Sequence, residues 1–429
     1  MRVLVLGPNY APERTAVAPF TTGLCEHLAA EGHQVQVITA FPYYPEWRVW
    51  EGYRGRLWQR ERVNQVPLLR VWHFVPRRPS RLLQRLAFDL SFTVSFFLAG
   101  LFAGGCDVIY CVSPPPTLAL SAYGLGKIKR APYVIKLTDL ASDAALSTGI
   151  MKAGTAIGMA RAVEAFAYRK AAGIVCLCQG FVDKLMARNV PPQKLHLISD
   201  WGDTENIRPL AHDRNDPAGF RVAHGMAEGQ FLALHTGNMG KKQDLMNIVR
   251  AAELTRHEPG ITWMLVGEGE ERELLGTEAA RRNLDTLKLL PLQPAGSLPQ
   301  MYASADVLLL NQKAAVEDAV IPSKLLTYLA AGQPIVAAVS PRSEAARHIR
   351  QAQCGLIVPA ENPQALAHAV LELRRDPARC AEFGNHGRSY AERNFTRQRV
   401  LQQYDEFFAQ FTGQREACEF GARKVAASR

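Results

Sequence analysis

Two separate series of short apolar runs, each run followed by helical periodicity, constrain this chain more than any other feature. In the first series Val3–Leu6, Val35–Thr39, Asp107–Val112, Tyr133–Leu137, Ile174–Cys178 and Lys194–Ile198 read as strands. In the second, Phe231–His235, Thr262–Val266, Ala305–Leu310, Ile335–Val339 and Gly355–Val358 do the same. Strand, helix, strand at this spacing is a βαβ unit, and its repetition builds a parallel sheet. The polar, weakly periodic stretch Ser199–Pro217 separates the series and reads as a linker. The expected architecture is therefore α/β, two doubly wound parallel-sheet domains, with any active site in a cleft between them. A length of 429 residues suits that division. The boundaries expected are 1–203, 204–395, a C-terminal helix over 396–415, and a loose basic tail over 416–429.

Charge is unevenly distributed. The net charge is +10, and Arg48–Arg85 alone holds ten Arg against two Glu, with no Lys. Such a stretch favours an anionic partner: lipid head groups, nucleic acid or a phosphorylated substrate. Behind it, residues 82–105 form an apolar helix in which Asp89 is the only charge from Leu86 to Gly105. That helix either lies on a membrane surface, is buried in the protein, or spans a bilayer. Asp89 at a bilayer centre would cost about 2.5–3.5 kcal/mol, which weighs against the span. The flanking Arg77, Arg78, Arg81 and Arg85 suit anionic lipid. Met1–Gly7 reads as a first strand and not as a signal peptide. The eight Cys form no CxxC pair or zinc-type spacing, so reduced thiols in a cytoplasmic protein are expected.

Chemistry concentrates in the loops that follow the strands of the second series. Asp318–Gly332 holds Pro322 and Ser323 at the start of a short helix, Lys324 in its first turn and Gly332 at its end. Ser reads as the N-cap and Gly332 as the C-cap. A helix N-terminus with a lysine in its first turn suits a phosphate or diphosphate. Gly237-Asn238-Met239-Gly240-Lys241-Lys242 adds two glycines for close backbone approach and two cations. Gly267-Glu268-Gly269 is too short for a dinucleotide fingerprint, because Arg272 stands where its last glycine belongs. Taken together these loops favour a nucleoside diphosphate, although any one alone reads better as a turn glycine or a solvated lysine.

In the first series the strand ending at Leu137 leads to Asp139 and Asp143, which would share one face if the segment were helical. They read either as base, acceptor ligand or electrostatic stabiliser, or as an N-cap and a solvated carboxylate. Glu13, in a long loop after the first strand, is a third candidate acid. No Asp-x-Asp motif and no paired His/Glu helix occurs, so no metal is expected; Lys, Arg and helix N-termini would then stabilise a departing diphosphate.

These residues resemble the retaining nucleotide-sugar glycosyltransferases of GT-B fold, two Rossmann-like domains facing across a cleft. Among these the chain looks most like the colanic-acid-type fucosyltransferases and fucosamine transferases of bacterial polysaccharide synthesis. The carriers are Tyr10–Ala18, Pro42–Trp47, Asp139 with Asp143–Ala145, Gly237–Gln243, Val266–Gly269, Leu290–Pro294 and Pro322–Leu325. The resemblance implies that Gly237, Asn238, Lys241, Lys242, Pro322, Ser323 and Lys324 hold the diphosphate. It also implies that Gly267, Glu268, Pro291 and Leu292 border the base, and that Asp318 lies near the donor sugar. The family's Glu-x7-Glu pair falls on Ala319 and Thr327, so Asp318 or Glu317 would substitute for part of it. Glu13, Arg14, Thr15 and Asp139 fall on the acceptor side; Asp139, Asp143, Asp318, Lys242 and Lys324 are the expected catalytic set.

The expected partners are thus a UDP- or GDP-type sugar, a lipid-linked saccharide acceptor and an anionic membrane surface, with no cofactor and no nucleic acid. The expected location is the inner face of the cell membrane. The alternatives are a nucleotide-sugar epimerase of the same fold, or a non-catalytic membrane or nucleic-acid binder.

Overall fold

The computed structural model describes residues 1–14, 17–78, 81–147, 154–209, 217–315 and 322–411. The chain divides into two compact units, Met1–Asp200 together with the chain from Leu401, and Trp201–Val400.

The first unit is built on an eight-stranded sheet. Its strands are β1 (Arg2–Gly7), β2 (Gln34–Ala40), β3 (Trp58–Val63), β4 (Val66–Val71), β5 (Val108–Ser113), β6 (Tyr133–Leu137), β7 (Gly173–Cys176) and β8 (Leu195–Leu197). The order is β3-β4-β2-β1-β5-β6-β7-β8, and every pair is parallel except β3 with β4. The central strands β5 and β6 are buried along their whole length, as a sheet covered on both faces requires.

The β3–β4 hairpin was not expected from the sequence. It occupies the arginine-rich stretch, where charged side chains interrupt the apolar signal. Not every arginine there is available to a partner. Arg70 is fully buried and bonds to Glu61 and to the carbonyls of Ala40 and Ala11.

The helix Leu82–Leu101 packs on this sheet with one face only. Phe88, Phe92 and Phe96, four residues apart, form its buried ladder, and Tyr43 meets Phe88 and Phe92 edge-on or tilted. Leu86, Leu90, Val94 and Leu98 form a parallel ladder that is roughly half exposed or more. Asp89 belongs to the protected side, 3.5 Å from Arg85. The helix is thus neither fully buried nor apolar to solvent by accident of one residue. Among the described residues it is the one helix long and apolar enough to cross a membrane.

The second unit contains β9 (Phe231–Thr236), β10 (Ile261–Val266), β11 (Leu287–Leu290), β12 (Val307–Asn311), β13 (Ile335–Ala338) and β14 (Gly355–Val358). Their order is β11-β10-β9-β12-β13-β14, all parallel. Counted within the unit this is the doubly wound 3-2-1-4-5-6 order, whose direction reverses between β9 and β12. Trp263 and Leu309 on the strands, with Ile248, Val249 and Val370 on the covering helices, centre one of its cores.

The helix Arg397–Ala409 returns the chain to the first unit. There Tyr404 lies 3.2 Å from the Tyr110 hydroxyl, and Asp405 pairs with His27 at 2.9 Å.

Candidate active site

In a doubly wound sheet, ligands bind beyond the carboxyl ends of the strands where the winding reverses. In the second unit that point lies between β9 and β12, and Lys324 is there. It belongs to the first turn of the helix Ser323–Ala331, and its ammonium lies 3.2 Å from Nε2 of His235, the penultimate residue of β9. A Cβ on Gly237 would sit 3.7 Å from the Lys324 Nζ, so the loop after β9 passes directly beside the cation.

That helix is fixed by hydrogen bonds one turn further along. The Thr236 amide donates to the Tyr328 hydroxyl at 3.0 Å, and that hydroxyl donates to the Leu309 carbonyl at 3.3 Å. Tyr302 meets the Thr236 hydroxyl at 3.0 Å. Burial pulls the Lys324 ammonium down to about 7, and it holds His235 neutral. Gly332, with φ of 66°, ends the helix as expected. The start differs from expectation. Pro322 is the cap residue and Ser323 is the first helical residue, so the serine hydroxyl caps nothing there and is exposed.

The loops after β9 and β10 are zipped together by backbone. Gly237 N donates to the Val266 carbonyl at 2.9 Å, Met239 N to Glu268 O at 2.8 Å and Gly267 N to Leu290 O at 3.0 Å. A Cβ at Gly267 would fall 1.9 Å from the Gly237 carbonyl, which only glycine permits. Asn238, Lys241, Lys242 and Glu268 project from these loops, and Pro291 and Leu292 from the loop after β11; all are exposed. Lys241 pairs loosely with Glu270 and Glu268 with Arg272, both at 3.6 Å. Thr327 is partly buried on the helix of Lys324. Asp318, Glu317 and Ala319 lie outside the described residues, as does Thr15.

The acids of the first unit are placed differently. Asp139 precedes the helix Ala141–Ser147, so it does not share a helical face with Asp143. Asp143 is held by Arg188 at 2.7 Å, with Lys184 and Arg161 at 3.7 and 3.8 Å. The solvated-carboxylate alternative therefore does not describe it. Beside it Glu164, almost wholly buried, accepts from the Ser142 amide and hydroxyl and from Arg188. Glu13 is also buried and accepts from the amides of Tyr43 and Tyr44 at 2.8 Å and from Asn9 at 2.9 Å. Burial raises its carboxyl above the ordinary range despite those three donors. Arg14 is exposed. Among the described residues no group of His, Cys, Asp and Glu is arranged to hold a metal ion.

His235, Tyr302, Tyr328 and Glu164 escaped the sequence reading. The only hint of His235 was one polar residue inside an otherwise apolar strand.

Two doubly wound parallel sheets in two units define a GT-B protein, with a partly buried cation at the switch point of the second sheet. Comparison with known proteins agrees. Residues 15–201 match the glycosyl transferase 4-like domain, and residues 219–390 match the glycosyl transferases group 1. A putative colanic acid biosynthesis glycosyl transferase of Escherichia coli K12 is 31% identical over 412 residues, covering 94% of this chain and 98% of that one. A probable glycosyltransferase of Pseudomonas aeruginosa is 23% identical over 290 residues, 67% of this chain and 70% of that one. Among solved structures, the sucrose-phosphate synthase of Thermosynechococcus elongatus superposes with a TM-score of 0.72 at 16% identity, covering 96% and 99% of the two chains. Anabaena HepE, solved with UDP-glucose, gives 0.69 at 18% identity, covering 96% and 100%. The chain belongs to the group 1 glycosyltransferases and is a glycosyltransferase. That membership displaces the epimerase and non-catalytic readings.

Proposed function

We propose that this glycosyltransferase moves a sugar, of fucose or fucosamine type, from a UDP- or GDP-linked donor to a lipid-linked saccharide in bacterial polysaccharide synthesis. The observation that carries the reading is Lys324 beside Gly237 at the switch point of the second sheet. In this reading Lys324 and the amides of the helix start at Ser323 take the charge of the leaving diphosphate. Lys242 and Lys241 screen it from the loop after β9, and no metal takes part. Glu268, Pro291 and Leu292 border the base. Asp318 stands near the donor sugar, Asp139 and Arg14 serve the acceptor, and the sugar keeps its anomeric configuration. Relatives support the donor class: Anabaena HepE was solved with UDP and with UDP-glucose.

The acceptor and the location rest on the helix Leu82–Leu101. From Leu83 to Phe102 its exposed residues are all uncharged, with Leu83 81% and Phe102 83% exposed. Arg77, Arg78 and Arg81, exposed around its start, supply charge for anionic lipid. We assign this face to the inner surface of the cell membrane, where a lipid-linked acceptor is presented.

The test is thermal shift of the full chain against UDP, GDP, ADP and their sugars. A specific nucleotide at a hundred times its Kd adds about 2.7 kcal/mol of stability and raises the melting temperature accordingly. Flat curves across the whole panel would refute the donor assignment.

A further inference from the structure

The imidazole of His235 is completely buried, and each of its nitrogens has one neighbour. Nδ1 lies 3.1 Å from the Leu309 carbonyl and Nε2 lies 3.2 Å from the Lys324 ammonium. A carbonyl oxygen can only accept, so Nδ1 carries the hydrogen. In a neutral ring Nε2 is then bare and faces the ammonium as an acceptor. The groups facing Lys324 from the packed elements are few. His235 from β9 faces it at 3.2 Å, whereas the hydroxyls of Tyr328 and Tyr302 meet Thr236 and are held above their ordinary range by burial. Lys241 and Lys242 are exposed, and Glu317 and Asp318 lie outside the described residues. Burial is what pulls the Lys324 ammonium down, and among the described residues no carboxylate pairs with it.

We propose that His235 is a positioning residue for Lys324: its bare Nε2 accepts the ammonium, holds it against Gly237 and releases it to the donor's diphosphate. A carboxylate in that place would form an ion pair that the phosphates would have to break. A neutral imidazole orients the cation without neutralising it, so an arriving anion gains nearly the full charge interaction. The Leu309 carbonyl sets the tautomer, much as an outer partner sets the tautomer of a metal-bound histidine. One consequence is proton uptake. The ammonium stands near 7 in the free enzyme, so diphosphate binding raises it and draws a proton from solvent. Donor affinity then weakens as pH rises above that value.

This inference rests on the diphosphate assignment above, and one experiment separates the two. Trace acetylation of the full chain with acetic anhydride, read peptide by peptide by mass spectrometry across pH, reports the titration midpoint of Lys324 without any ligand. His235→Leu removes the acceptor that favours the charged form and should lower that midpoint by about one pH unit. His235→Asn keeps a donor toward Leu309 but cannot reach Lys324, and should do the same. His235→Gln, which can present a carbonyl oxygen near the Nε2 position, should restore the midpoint. An unmoved midpoint in the Leu and Asn variants overturns the pairing, and an upward shift overturns the neutral tautomer. Adding UDP or GDP to the wild-type reaction should protect Lys324 several-fold. Midpoint shifts without protection would remove the diphosphate contact and the release step, leaving only the pair.

Discussion

The two sheets wind alike about their centres but finish their strands by different means, and the difference separates structural charges from available ones. At the carboxyl edge of the first sheet, charged side chains are spent on holding loops. Glu13 clamps Tyr43 and Tyr44, while Glu164 and Asp143 share Arg188. At the same edge of the second sheet the loops are held by backbone, Gly237 to Val266 and Met239 to Glu268. The cations are thereby spared from holding the loops: Lys242 is exposed, Lys241 is exposed in a loose pair with Glu270, and Lys324 is held by a neutral imidazole. A loop that closes through its own amides can offer charge to a ligand. A loop that closes through carboxylates cannot offer those same carboxylates.

The comparison breaks most visibly at Glu164. Its removal in Glu164→Ala leaves the buried Ser142 amide and hydroxyl without their acceptor while Arg188 keeps Asp143, and should cost about 2–4 kcal/mol of stability. Chemical denaturation would show a lower midpoint at unchanged slope. A loss under about 1 kcal/mol would mean that the first sheet's loops do not depend on these pairs.

Lys324→Ala should act in the opposite sense. The expected loss is about 100- to 1000-fold in kcat, the range for removing one preorganised charge donor, with little change in melting temperature. Turnover within a factor of about three of wild type would return Lys324 to a packing role.

A smaller effect is expected at Asp89. Burial pushes its carboxyl from 3.8 up to about 6, with Arg85 opposing. The folded value exceeds the unfolded one, so this group's contribution is fully present below 3.8 and is lost as pH rises through 6. Asp89→Asn should therefore gain up to about 3 kcal/mol at neutral pH and nothing in acid, flattening the stability curve over that interval. Equal gains at both pH values would place the effect in packing and not in charge.

These contrasts also explain how much was legible beforehand. Strands buried on both faces, such as β5, β9 and β12, leave unbroken apolar runs, and the sheets followed from them. The β3–β4 hairpin did not, because Trp58–Val63 alternates exposed and partly buried residues around Arg60 and Arg62 at the sheet edge. The four-residue Leu287–Leu290 was too short to stand out from its helical neighbours. The place of Lys324 at a helix start is legible as a local pattern. The ion pairing of Asp143 was not legible because its partner Arg188 stands 45 residues away, where no spacing rule reaches. His235 is the same case: the Leu309 carbonyl is 74 residues distant, and only pairing across β9 and β12 brings them together.

The mildest prediction concerns the helix with two ladders. Its buried phenylalanines and exposed leucines are equally apolar, so composition alone cannot say which belong to the fold. Phe92→Ala should destabilise, since it empties a ring packed against Tyr43 and Phe96. Leu90, 62% exposed, packs too little to matter for folding. If that ladder meets lipid, Leu90→Ala removes apolar area from the membrane and not from the core. Binding to vesicles containing anionic lipid should then weaken about fivefold, roughly 1 kcal/mol, with the melting temperature unchanged. Vesicle affinity that ignores Leu90 but falls with salt would leave the arginines of the first unit as the whole of the attraction, and the leucine ladder would need another explanation.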